Sequence, residues 1–235
     1  MSDLNNLRKD LRSFQRPGKA KILMRFFKTR PGEYGEEDKF LGLMTAETRS
    51  VAQKYSDPPL NFITKLLASK IHEERVVAVM ILTRQFKGSD LKGKKKIYDF
   101  YFKNIKGINN WDLVDGSAPT IVGDYLSLSN SPRDILYKLV KSKSLWERRI
   151  GIMATFCFIK NKDFSDALKI SEMLLDDKED LIHKAVGWML REIGNRDIKA
   201  EEGFLKKFYK KMPRTMLRYA IEKFPEAKRQ SYLKR

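Results

Sequence analysis

The sequence predicts an all-α protein, with helical repeats stacked into a curved solenoid that carries a basic concave groove. Three observations predict it. Apolar residues recur at helical spacing over long stretches. Strand signals are missing: there is no long alternating pattern, and only 13 glycines occur in 235 residues. No Asn-Gly or Asp-Gly turn separates strand-like runs, and Asp115-Gly116 lies in a helical context. The third observation is an internal repeat. "ITKLLASKIHEERVVAVMIL", "ILYKLVKSKSLWERRIGIMA" and "ISEMLLDDKEDLIHKAVGWML" share one plan: a short helix, a polar break, a longer helix. Glu74-Arg75 recurs 73 residues later as Glu147-Arg148, and Gly151-Ile152-Met153 recurs 36 later as Gly187-Trp188-Met189. Helical pairs with such a period stack into solenoids, and their longer helices commonly line the concave side.

Taken along the chain, residues 1–235 read as a single helical repeat domain. Residues 1–44 supply N-terminal helices and a loop, and residues 45–235 the repeats. The start, "MSDLNNLRKDLRSF", is charged from its third residue and is not expected to be a signal peptide. Arg30 to Gly42, "RPGEYGEEDKFLG", reads as a loop; its glycines are too scattered to cradle a phosphate. In the first repeat, "HEER" begins like a zinc motif, but no second histidine follows four residues on; His72 instead caps or starts a helix. "NNWDLVDG" falls in the longer helix of the next repeat, because 36 residues before Gly151 lies Asp115. Cys157, in "TFCFI", reads as core filling. Ile182, Ala185, Val186, Met189, Leu190 and Ile193 form the core stripe of a long helix. In a further helix, Pro213 stands near the start and Pro225 just past the end, with Leu217, Ala220, Ile221 and Phe224 apolar between them.

Composition narrows the function. Hydrophobic residues make up 42% and aromatics 11%, which suits a packed domain rather than a disordered chain. One cysteine excludes an internal disulfide and fits a reducing, cytoplasmic setting (nucleoid-associated in a bacterium). Two histidines and that cysteine make a His/Cys metal cluster hard to build. The longest clean apolar run, Val76 to Leu82, is too short for a bilayer. The net charge is +18, from 48 Lys and Arg against 30 Asp and Glu. Residues 196–235 hold 13 basic and 5 acidic side chains, and residues 84–106 hold 8 and 2. A polyanion is the natural partner, and nucleic acid outranks a membrane.

A few residues stand out from the helical background. Lys184, Trp188 and Arg191 point away from the core stripe of their helix. A Trp among cations either packs against the next repeat or forms an aromatic wall in a basic groove. Arg149 is set into an apolar stripe with Ile152, Met153 and Phe156. An interior arginine requires an anion, either a carboxylate of the preceding repeat or a phosphate. Arg148 beside it reads as a surface cation. Trp111 and Asp115 are four apart and share one helix face. Asp115 occupies the register of Gly151 and Gly187, where a carboxylate facing a positive groove has a chemical task or is tied by Arg149. Asp112 is the rival acid. No Ser/His/Asp arrangement and no nucleotide loop is present.

In order, "YGEEDKFLG" followed by "TR", "NNWDLVDGSAPTIVGDYL", "LWERRIGI", "IHKAVGWMLREIG" and "MPRTMLRYAIEKFP" resemble the AlkD-type DNA alkylation repair proteins over nearly the whole chain. The resemblance implies HEAT-like repeats curved around duplex DNA and removal of bases made cationic by N-alkylation, such as N3-methyladenine and N7-methylguanine. It implies that the lesion rests against the groove wall and stays stacked. It makes Asp115 the catalytic carboxylate, Trp111 and Trp188 the groove tryptophans, and Arg149 the phosphate contact, with Arg191 following Trp188 at the family's spacing. Lys184 and Arg148 join them as expected DNA contacts. No cofactor and no metal is implied, and the protein is expected to act as a monomer. One departure is visible: a family tyrosine falls in "MRFFK", where this chain has Phe26 and Phe27. Two other functions suit the same fold, a non-catalytic nucleic-acid binder and a protein-interaction scaffold.

The charge generates the first prediction. Affinity for duplex DNA, measured by titration at increasing salt, falls by orders of magnitude between low and moderate ionic strength, because several phosphate contacts release counterions. Salt-independent affinity excludes a phosphate-tracking surface.

Overall fold

Several helices begin where the sequence offers an acceptor, or a residue needing none, to the unsatisfied N–H groups of a first turn. The computed structural model describes residues 2–234, and among them the chain is helical and carries no strand, only a bridge between Lys39 and Ile71. Among the described residues no helix is long and apolar enough to cross a membrane. The chain divides into two compact units, residues 1–117 and 118–235.

The first unit holds α1 (Ser2–Ser13), α2 (Pro17–Phe26), α3 (Thr45–Lys54), α4 (Leu60–Leu67), α5 (His72–Gly88), α6 (Leu91–Lys103) and α7 (Trp111–Asp115). Pro17 opens α2, where its missing N–H costs nothing. Asp90 caps α6 by accepting from the Gly93 N–H at 2.7 Å. Residues 30–42 form the expected irregular loop. Helices α4 and α5 are the predicted short and long pair. Val77, Ala78, Ile81 and Leu82 of α5 are fully buried, each large side chain contributing on the order of 2 kcal/mol relative to exposure.

The second unit begins with a π-helical turn, Pro119–Asp124, and continues with α8 (Tyr125–Leu128), α9 (Asp134–Val140), α10 (Leu145–Ala154), α11 (Phe156–Lys160), α12 (Ser165–Met173), α13 (Asp180–Gly194), α14 (Ile198–Phe208), α15 (Arg214–Ala220) and α16 (Glu226–Leu233). The pairs α9/α10 and α12/α13 match the repeat read from sequence. The α13 stripe from Ile182 to Ile193 is fully buried, and Leu217, Ala220, Ile221 and Phe224 are buried as well. The repeated glycines allow close helix approach. A Cβ on Gly151 would lie 2.6 Å from Val140 Cγ1, and one on Gly187 2.5 Å from the Met216 carbonyl.

One expected element differs. "NNWDLVD" does not sit in a long helix; α7 is five residues and stops at Asp115. Pro119, four residues beyond, has no N–H to offer the Asp115 carbonyl, so the α ladder cannot continue through it. The chain passes into the wider π turn instead. Asp115 is therefore half-buried at a helix end, whereas Gly151 and Gly187 are enclosed within longer helices.

The repeated arginine after the repeated glutamate is a clamp. Arg75 Nη1 donates to the Ser69 carbonyl at 2.7 Å, and Arg148 Nη1 donates to the Ser142 carbonyl at 3.1 Å, each closing the break six residues before it. Arg148 also grips Asp177 through Nε at 2.6 Å and Nη2 at 3.3 Å, and reaches the Lys143 carbonyl at 3.0 Å. Arg148 is thus part-buried and committed to its own loop, in contrast to the surface cation read from sequence.

Arg148→Ala strands the nearly buried Asp177 carboxylate. A loss of about 3 kcal/mol is expected, a drop in Tm on the order of 10 °C. The salt dependence of DNA binding stays unchanged, since four of this arginine's five N–H groups are already engaged within the protein. Calorimetry and salt titration of the one variant check both halves.

Glu201 of α14 is 1% exposed, with Oε1 lacking a hydrogen-bond partner. Burial, with the neighbouring Glu202 charge, pushes its carboxyl from an ordinary 4.5 to about 8. The folded state holds the proton that the unfolded state releases, so stability falls as pH rises from 4.5 through 8. Glu201→Gln does not titrate. Its stability advantage over the parent, read by thermal unfolding, grows across that window and levels off above it, reaching on the order of 5 kcal/mol. A pH-independent difference between the two proteins removes Glu201 as the source.

Candidate active site

Helix α7 is short, so its side chains are held from outside it. Asn110 caps it by accepting from the Trp111 N–H at 2.8 Å, and donates through Nδ2 to Asp38 Oδ2 at 2.9 Å. Leu113 and Val114 face the core. The Trp111 indole stacks on Phe27 with centroids 5.3 Å apart and planes within 10°, and meets the edge of Phe26 at 5.9 Å. Phe27 is buried, and it lies 5.0 Å from Phe40 and 4.8 Å from the His72 ring. Phe26 remains largely exposed. The two phenylalanines standing where the resembled family has a tyrosine thus divide: one supports the indole from below, the other extends the aromatic surface.

Asp115 lies four residues after Trp111, at the C-terminal end of α7. A helix C-terminus carries partial negative charge, so a carboxylate there raises the negative potential rather than relieving it. Behind it, the buried Tyr101 hydroxyl donates to Ser117 Oγ at 3.0 Å, and Ser117 donates to the Leu113 carbonyl at 2.6 Å. Burial, joined by the Asp115 charge, keeps the Tyr101 phenol protonated well above its usual range.

Asp112, the rival acid, is engaged. Its Oδ2 accepts from His72 Nε2 at 2.7 Å and its Oδ1 from the Leu113 N–H at 2.9 Å. His72, the first residue of α5, is 2% exposed. Its Nδ1 lies 3.2 Å from Asp38 Oδ2. Asp38 Oδ1 accepts from Arg75 Nη2 at 2.5 Å. Burial works against the imidazolium, but the hydrogen bonds to Asp112 and Asp38 outweigh it and raise the His72 pKa above the usual 6.5. Sequence reasoning missed this network. Its signal was present in the four polar residues His72–Arg75 at the head of an otherwise apolar helix.

In the second unit, Lys184, Trp188 and Arg191 are half-buried on the face of α13 opposite its core stripe, as read from sequence. Trp188 Nε1 donates to Glu192 Oε1 at 3.3 Å, and the indole lies 6.4 Å from Phe156, whose ring carries Lys160 Nζ at 4.7 Å. Lys184 pairs with Asp180 at 2.8 Å, and Arg191 with Glu222. Arg149 is buried in its apolar stripe and donates through Nη1 to the Leu181 carbonyl, joining α10 to α13. The structure thus brings Trp111 and Asp115 together on one turn, and sets Trp188, Lys184 and Arg191 on one helix beside Arg149.

No curated protein matches the sequence. Among solved structures, one described as a predicted DNA alkylation repair enzyme from Enterococcus faecalis superposes with a TM-score of 0.70 at 15% identity, covering 90% of this chain and 97% of the other. At that identity the likeness speaks for the fold. The sequence itself matches the DNA alkylation repair enzyme family over residues 7–224, and the chain belongs to that family.

Proposed function

We propose that this chain is a DNA glycosylase that hydrolyses the N-glycosidic bond of cationic N-alkylated purines, N3-methyladenine and N7-methylguanine among them, in duplex DNA. One observation carries the reading: an indole and a carboxylate four residues apart, with the carboxylate at the negative end of a short helix, in a protein of net charge +18. The charge favours DNA, and the family points to alkylation damage. Helical pairs stacked as HEAT-like repeats would offer the duplex a basic concave face, with Lys184, Arg191 and Arg149 near phosphates and Trp188 as a second indole.

Alkylation makes the base a cation and a good leaving group. When the C1′–N bond breaks, its electron pair goes to the base, which departs neutral, and positive charge moves to the deoxyribose. Asp115 stabilises that oxocarbenium-like state and orients the water that adds to C1′, its proton passing to the carboxylate or solvent. The Trp111 face attracts the cationic base or sugar edge. Free base and an abasic sugar result.

Single-turnover release of N7-methylguanine from methylated duplex DNA tests this. Asp115→Asn is expected to keep DNA binding, strengthened by loss of a negative charge, and to slow release on the order of 100-fold or more. Unchanged release by this variant removes Asp115 from the mechanism, and absence of release by the parent chain removes the glycosylase reading.

A further inference from the structure

Trp111 and Asp115 cannot be held by α7 alone, since five residues make too little helix to be stable. What fixes them lies beneath. His72 is enclosed by the rings of Phe27 and Phe40, with centroids at 4.8 and 4.7 Å. It touches α7 twice: directly, through Nε2 to Asp112, and indirectly, through Phe27, on which Trp111 stacks. We propose that His72 is a positioning residue for the candidate site, orienting α7 and the Trp111 ring through its bond to Asp112, and that its proton sets how firmly they are held. The inference rests on the site assignment above and adds to it a residue that touches no substrate.

The geometry supplies the mechanism. Charged groups facing the ring are Asp112 from α7, Asp38 from the 30–42 loop, and Arg75 from its own helix; Phe27 and Phe40 contribute no charge. Nδ1 lies 3.2 Å from Asp38 Oδ2 and also 3.2 Å from Arg75 Nη2. Protonated, Nδ1 donates to the carboxylate, and the ring holds Asp38 and Asp112 as a cation between two anions. Unprotonated at Nδ1, it accepts from the guanidinium, while Nε2–H still donates to Asp112. The link to α7 survives loss of the proton, but the attraction between a cation and the carboxylate is lost and only a neutral donor's bond to it remains. The pKa direction given above places the change above 6.5.

The test uses the full chain in solution. The Trp111 indole N–H resonance, assigned through Trp111→Phe, and the His72 ring resonances are followed by NMR between about pH 5.5 and 9. Both are expected to titrate with one midpoint above 6.5. Asp112→Asn, which keeps an acceptor but removes the charge, moves both midpoints down together by about one unit or more. His72→Gln, which keeps an N–H but cannot titrate, makes the Trp111 resonance independent of pH. In the parent chain, base release bends at the same midpoint, and the bend is absent from His72→Gln. A Trp111 resonance indifferent to the His72 titration overturns the proposal, as does a pH–rate bend that persists in His72→Gln. Co-titration without base release leaves the positioning role standing and sinks the glycosylase reading instead.

Discussion

The first unit depends on a buried cluster of charge at the head of α5. His72, Glu73, Glu74 and Arg75 are consecutive and all buried. Charged groups in that position destabilise a fold by several kcal/mol each unless paired. Each is paired, and together they reach several separate parts of the chain. Glu73 accepts from the N–H groups of Leu41, Gly42 and Leu43 at 2.8–3.3 Å. Glu74 receives the forked Arg8 of α1 at 3.0–3.2 Å. Arg75 reaches Asp38 and the Ser69 carbonyl, and His72 reaches α7. One helical turn thus joins α1, the loop of residues 30–42, the repeat break and the candidate site.

That requirement explains local features which otherwise look arbitrary. For Glu73 to collect three successive N–H groups the chain must curl around its carboxylate. Gly42 adopts φ +91° there, and a Cβ on it would lie 2.4 Å from the Arg16 carbonyl. Only glycine meets both conditions. The loop read from sequence as merely irregular is therefore folded around a side chain of a distant helix, and its glycine serves carboxylate binding within the protein rather than phosphate binding.

The repeat and its cores were legible because helical periodicity and a 36-residue step are properties of the chain itself. The buried stripe of α13 and the burial of Arg149 follow from spacing alone. The break after Asp115 was legible in principle, since Pro119 stands in the sequence and removes the N–H owed to the Asp115 carbonyl; the 36-residue register was allowed to outweigh it. Arg148 could have been read from its counterpart Arg75, because a cation repeated with the repeat belongs to the scaffold before it belongs to a ligand. The partners of His72 were beyond reach. Asp38 lies 34 residues before it and Asp112 40 after, and no periodicity relates them.

The two carboxylates of α7 show how environment separates residues of one type. Asp112 stands in the first turn, where the helix N-terminus favours negative charge, and its oxygens accept from His72 and from the Leu113 N–H. It is engaged on both oxygens and turned inward. Asp115 stands one turn later, at the end where backbone carbonyls gather, with an aromatic face four residues away. Nothing in the helix itself favours a negative charge at that end. On the reading proposed above, a base or sugar made cationic by alkylation is what the carboxylate and the indole face at that end of the helix would meet.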